Sequence, residues 1–216
     1  MSEQTTRVIA LRHGETAWNV ASRIQGQLDI GLNEVGRDQA ARVAAALAGE
    51  VFDAIYSSDL SRARATAEAV ARVAGLEVQT EPSLRERGFG NFEGLTFAEI
   101  QTRFPEEARR WRRRDAGFGP DGGETLVGFA ERAVAGVAAL AAKHRGQHIV
   151  VVTHGGVLDV LYRAASRVAL EVRRTWQIGN ASINRLLVSD DGFVLIGWGD
   201  VSHLQDAVLD EQGGRR

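Results

Sequence analysis

The chain has no cysteine, one methionine, three prolines and a single lysine. Without cysteine it can build no disulfide framework, no thiolate nucleophile and no cysteine-bound metal cluster. No apolar run approaches the roughly 18–20 residues that cross a bilayer. The opening MSEQTTRVIAL lacks the basic start and long apolar stretch of a secretory leader. A soluble, cytoplasmic protein with no membrane partner is therefore expected. The formal net charge is −2 and the pI about 6.2, so no global basic excess argues for nucleic acid. Any anion site must come from local clustering. Lys143 is the one lysine among 26 basic residues, which by itself carries little functional weight.

At 216 residues, 44% hydrophobic and 25% charged, the chain can bury a sizeable core, and residues 1–216 read as a single domain. Strand and helix patterns alternate along it. RVIALRHG is a short apolar run ending at glycine, a buried strand; NEVGRDQAARVAAALAGE opens on the N-cap residue Asn33 and reads as a helix. FDAIYSS is a second strand, followed by the helix DLSRARATAEAVARVAG, closed by Gly75. FAEIQTRF and EEARRWRRR are two helical pieces divided at Pro105. ETLVGFAERAVAGVAALAAKH is a long amphipathic helix, HIVVVTHGG the plainest buried strand, and VLDVLYRAA a helix behind it. SINRLLVS and FVLIGWG flank the turn DDG, and the tail DEQGGRR reads as frayed. This alternation predicts an α/β three-layer sandwich, with a mainly parallel central sheet, helices on both faces and an antiparallel last hairpin.

In open α/β sheets, ligands bind at the carboxyl ends of strands, and LRHG and VTHGG both lie where an apolar strand gives way to glycine. His13 and His154 are thus expected at one sheet edge, with Gly14 and Gly155 permitting tight turns and close backbone approach. Arg12 precedes His13. In YSSDLSRARATAE a second strand ends near Ser57, and the next helix carries Asp59, Ser61 and Arg62 in its first turn. Exposed amides and a guanidinium suit phosphate oxygens there, although Arg62 and Arg64 also fit a merely solvated helix face. The loop SLRERGFGNFEG holds Glu86, which either pairs with Arg85 or Arg87 or, lying over the histidines, becomes a proton donor.

Taken in order, LRHGETAWN, SSDLSRARATAE, LRERGFGNFEG and VVTHGG resemble the four signature segments of the histidine phosphatase superfamily, the phosphoglycerate mutase-like family. The resemblance runs from Leu11 to Gly156 and implies the three-layer fold and a phosphohistidine mechanism without metal or other cofactor. By motif position, His13 resembles the nucleophile, Arg12 and Arg62 the phosphate clamps, His154 the second phosphate-binding histidine, and Glu86 the proton donor. Asn19, with Gln25 and Gly26 in the IQG segment, resembles a further phosphate-contacting loop.

These residue types suit that chemistry. A neutral imidazole is a good nucleophile, and a phosphoryl-histidine divides one hard displacement into two easier ones. Arg12, Arg62 and a protonated His154 would counter the charge on the phosphoryl oxygens, and Glu86 would protonate the leaving oxygen. RRWRRRDAGF, around Trp111, Arg112 and Arg113, resembles a carboxylate-binding segment of the mutases and so points to an acidic metabolite; a solvated helix face explains it equally well. EGLTFAEI lacks the substrate-binding lysine of the mutases, and the chain is short for one. The expected activity is therefore a metal-independent phosphomonoesterase acting on a small phosphorylated metabolite. A cofactor-dependent phosphoglycerate mutase is the runner-up, and a non-catalytic phospholigand-binding module the non-enzyme alternative. Glu124 is the next acid to consider as donor should Glu86 fail. Trp176, Trp198 and the hairpin around Leu186 read as core or as a homodimer surface, and His144 and His148 as solvent-exposed.

Overall fold

The structure, a computed structural model, describes residues 5–205. The tail DEQGGRR lies outside the described residues. Six strands form one sheet: β1 (Thr6–Arg12), β2 (Ala54–Ser57), β3 (Val78–Thr80), β4 (His148–Thr153), β5 (Ile183–Ser189) and β6 (Gly192–Asp200), in the spatial order β3-β2-β4-β1-β5-β6. β1 and β2 each pair parallel with β4, and β3 pairs parallel with β2. β5 runs antiparallel to both β1 and β6. The expected mainly parallel sheet with an antiparallel final hairpin is what the chain forms.

Alternate residues of each central strand enter opposite cores, as the two-residue period of a strand requires. Ile9, Leu11, Ile55, Val150 and Val152 face α2 (Glu34–Leu47) and α3 (Ser61–Ala74). Val8, Ala10, Tyr56, Ile149 and Val151 face α6 (Leu126–Lys143) and α7 (Gly155–Ser166). Helices thus cover both faces, giving the three layers. The short helix α1 (Ala17–Val20) follows β1, capped by a reciprocal box between Thr16 and Asn19. A third, smaller core joins Phe92, Ile100, Ala108 and Phe118 under α4 (Phe97–Arg103) and α5 (Pro105–Arg112). Pro105 occupies the first turn of α5, where its missing N–H costs nothing, so the division read at that proline is the boundary observed.

Trp176 and Trp198, both partly buried, pack against the α6–α7 core. Trp176 stacks on Tyr162 with ring centroids 4.0 Å apart, and Trp198 meets the same ring edge-on at 5.0 Å. His148, expected at the surface, is buried against the edge of Phe52, because it is the first residue of β4 rather than part of the preceding loop. His144 is half-buried and hydrogen-bonded to the Tyr56 hydroxyl at 2.8 Å. No helix among the described residues is long and apolar enough to cross a membrane.

Candidate active site

β1 and β4 are neighbours in register, Arg12 opposite Thr153, so the residues that follow them emerge side by side. The His13 amide donates to the Thr153 carbonyl at 3.0 Å, and the His13 and His154 rings lie 5.2 Å apart. Ser58 leaves β2 on the other side of β4, its amide donating to Val152. One sheet edge thereby collects His13, Ser58 and His154, with Arg62 from the first turn of α3.

His13 is almost fully buried, and its Nδ1 lies 2.7 Å from the Gly14 carbonyl. A carbonyl only accepts, so Nδ1 carries the proton and Nε2 of the neutral ring keeps its lone pair. Burial, reinforced by Arg12 and Arg62, holds His13 well below its ordinary pKa. The neutral form is therefore the resting one.

His154 is also buried, and it too is pushed well below its ordinary value, by burial first and then by Arg62 and His13. These surroundings favour its neutral form over the protonated one expected from the sequence. Ser58 Oγ accepts the Leu60 amide at 3.3 Å and shares a hydrogen bond with His154 Nε2, 2.9 Å away. The other ring nitrogen, Nδ1, is buried without a partner.

Arg12 donates from Nη1 to the Ile178 carbonyl, and Arg62 from its two terminal nitrogens to the carbonyls of Leu28 and Gly26. Burial lowers Arg12 to about 10, against the opposing pull of Glu86, and lowers Arg62 as well. The Nε atoms of both are buried with no partner. Gly155 starts α7 beside Arg12, where a Cβ would make only ordinary contact with Arg12 Nε at 3.4 Å.

Glu86 reaches the first turn of α7, where its carboxylate accepts the Gly156 amide at 3.0 Å and the Arg87 amide at 2.8 Å. It pairs with neither Arg85, which grips Asp59, nor the Arg87 guanidinium, which binds the carbonyls of Phe118 and Glu124. Asp59 lies before α3, not in its first turn, and the Ser61 amide at that helix start is taken by Asp29.

Arg12, His13, Arg62 and Glu86 open onto a cavity of about 280 Å³, which Asn19, Gln25 and Gly26 also line; the predicted site residues His154 and Gly155 are not among its lining residues, His154 being fully buried beside His13. Asn19 Oδ1 and Gln25 Oε1 both bond Thr16, and the Asn180 amide bridges Asn19 to the His13 carbonyl, so that loop is tied to the strand end. Arg112 and Arg113 are not brought to the cavity. Arg112 lies over the Phe97 ring and bonds Gln101 on the outside of α5, and Arg113 caps that helix in solvent. The same segment instead sends in Trp111 and Arg114. Arg114 has a left-handed backbone (φ 55°) that turns its side chain back onto Leu170 and Asp159.

The sequence reading missed Arg23, Phe89, Arg114, Asp159 and Arg174 as lining residues. Asp159 carried a signal, a carboxylate in the apolar stretch VLDVLY that demands a buried cationic partner. It has two, Arg114 at 2.7 Å and Arg163 at 3.0 Å. Glu124 does not line the cavity and is held instead by Arg132 and the Gly88 amide. Burial raises its carboxyl, but hydrogen bonds from Arg132 and the Gly88 amide outweigh this and keep it below the ordinary range.

The family described as the histidine phosphatase superfamily (branch 1) matches residues 8–201. Phosphoglycerate mutase-like protein 4 of Arabidopsis thaliana is 41% identical over 211 residues, spanning 95% of this chain and 90% of that one. The metal-independent phosphoserine phosphatase of the same plant is 36% identical over 217 residues, 99% of this chain and 89% of that one. Among solved structures, a mycobacterial glucosyl-3-phosphoglycerate phosphatase complexed with VO3 superposes with a TM-score of 0.79 at 36% identity, covering 89% of this chain and 98% of the other.

Proposed function

Because the chain belongs to the histidine phosphatase superfamily, we propose that it is a metal-independent, cytoplasmic phosphomonoesterase that works through a phosphohistidine on His13. The reading takes residues 1–216 as one domain and a small phosphorylated metabolite as substrate. One observation carries it: Arg12 Nε, Arg62 Nε and His154 Nδ1 are buried nitrogens with no partner, in the surroundings of a histidine held neutral, and on this reading each carries a proton to donate. Buried donors are nearly always satisfied, and a phosphoryl group supplies the oxygens these three lack.

His13 Nε2 attacks phosphorus and the phosphorus–oxygen ester bond breaks as the phosphorus–nitrogen bond forms. Glu86, in its acid form, gives its proton to the departing alkoxide. Arg12 and Arg62 neutralise the equatorial oxygens while His154 donates from Nδ1. Glu86, now ionised, takes a proton from the water that attacks the phosphohistidine, which releases phosphate and restores neutral His13.

Phosphatases and a mutase-like protein both stand among the relatives, so the fate of the phosphoryl group is the test. Given 3-phosphoglycerate with a bisphosphoglycerate primer, the protein should release inorganic phosphate and make little 2-phosphoglycerate. Isomerisation much faster than release would make it a mutase, and saturable phosphate binding without turnover a binding module. A panel of phosphorylated metabolites then ranks the substrates.

A further inference from the structure

We propose that Arg132 is a positioning residue for Glu86, with Glu124 holding Arg132 in that role; this rests on Glu86 being the general acid. Arg132 lies on α6 and uses all five of its N–H donors. Two go to the Glu124 carboxylate, both at 2.8 Å. The other three go to the carbonyls of Ser83 (2.7 Å), Arg85 (3.0 Å) and Glu86 (3.3 Å). Glu124 closes the ring by accepting the Gly88 amide at 2.8 Å. One guanidinium and one carboxylate therefore fix both sides of Glu86.

The segment needs this support because it supplies little of its own. Residues 85–89 lie between two short 3-10 turns, Pro82–Leu84 and Gly90–Phe92, and belong to no helix or strand. The Glu86 carboxylate is seated by the Arg87 and Gly156 amides, so it reaches the ester only where its backbone holds it against α7. Arg132 transmits the position of the core to that backbone: its guanidinium lies over the Phe129 ring, which is itself buried in the α6–α7 core and lines the cavity. Displacing a reacting group by about 1 Å can cost on the order of 10²-fold in rate, so a loosened strap is felt in the proton-transfer step.

The test compares Arg132→Lys, Glu86→Gln and the double variant in the phosphorylation burst, with glycerol 2-phosphate and with nitrophenyl phosphate. Lysine keeps the charge but not the fork. Arg132→Lys should slow the burst about tenfold on glycerol 2-phosphate, whose alkoxide needs a proton, and by less than about threefold on nitrophenyl phosphate, a fraction of the 10²–10⁴-fold that general acid catalysis supplies. Competitive inhibition by inorganic phosphate should be unchanged, and adding Arg132→Lys to Glu86→Gln should cost nothing more. Equal losses on both substrates, weakened phosphate inhibition, or a loss that persists in the Glu86→Gln background would overturn the proposal. If Glu86→Gln alone leaves the glycerol 2-phosphate burst intact, the general-acid reading fails first and the positioning role with it. Should Arg132→Lys not fold, Glu124→Gln takes its place in the same comparison, and the same outcomes support or overturn the role, since that substitution removes the ionic partner of Arg132 but keeps an acceptor for Gly88.

Discussion

At the scale of residues, His13 and His154 are the groups on which the site turns, and their burial has a cost that pH exposes. Both are held well below the ordinary histidine value of 6.5, chiefly by burial. A group with a depressed pKa in the folded state leaves the unfolded chain binding more protons in acid. Its contribution to stability is fully present above 6.5 and is lost as pH falls toward the folded value. His148 and His203, also lowered mainly by burial, act in the same direction. Unfolding free energy should therefore fall between about pH 7.5 and about pH 5.5, and His13→Asn with His154→Asn should flatten that slope. Denaturant titrations at the two pH values measure it; an undiminished slope in the double variant would place the acid sensitivity elsewhere. The residues legible in advance were those sitting in ordered motifs: Arg12, His13, Arg62, Glu86 and His154. Arg114, Asp159 and Arg174 come together only through tertiary folding, and a run of arginines does not announce which member faces inward. In RRWRRR the answer turned on a left-handed backbone at Arg114, which no helical periodicity predicts.

At the scale of elements, the position of His13 depends on α2 as much as on β1. Gly14 and Gly36 meet back to back: a Cβ on Gly14 would strike the Gly36 carbonyl, and a Cβ on Gly36 would strike the Glu15 backbone. The Asn33 side chain caps α2 through the Gly36 amide and donates to Glu15 in the loop behind His13. Gly36→Ala should push α2 off that loop. We expect about 1–3 kcal/mol of lost stability, as for overpacking elsewhere, together with a clear fall in turnover. Thermal unfolding and steady-state rates check this, and a stable, fully active Gly36→Ala would show that the loop tolerates the shift. The long elements were legible because their apolar periods are unambiguous, as in RVIALR and HIVVVT. β3 was not: three residues at a sheet edge, half-buried or exposed, offer no alternation to read. α1 escaped for a similar reason, being four residues fixed by a capping box rather than by an apolar face.

At the scale of the whole molecule, a chain of net charge −2 concentrates positive charge in one cavity. Arg12, Arg23, Arg62, Arg87, Arg114 and Arg174 line it, against the carboxylates of Glu86 and Asp159. On the proposed mechanism, these guanidinium groups take the charge-neutralising role that divalent ions fill in other phosphoryl-transfer sites. Exhaustive chelation should leave turnover essentially intact; loss on chelation, restored by a divalent ion, would sink that reading. The three-layer plan was legible because alternating strands and helices admit few other solutions. The third core around Phe92, Phe104, Trp111 and Phe118 was not, since its aromatics are scattered over two short helices and the loops beside them.

The central claim is covalent, and trapping the intermediate tests it most directly. Rapid acid-free quenching of the protein with a labelled aryl phosphate should give a phosphoenzyme that is stable in alkali, labile in acid and mapped to His13. The same experiment on His13→Ala should give no label and no turnover. Label that survives that substitution, or an adduct stable in acid, would put the phosphoryl group on another residue and contradict the mechanism.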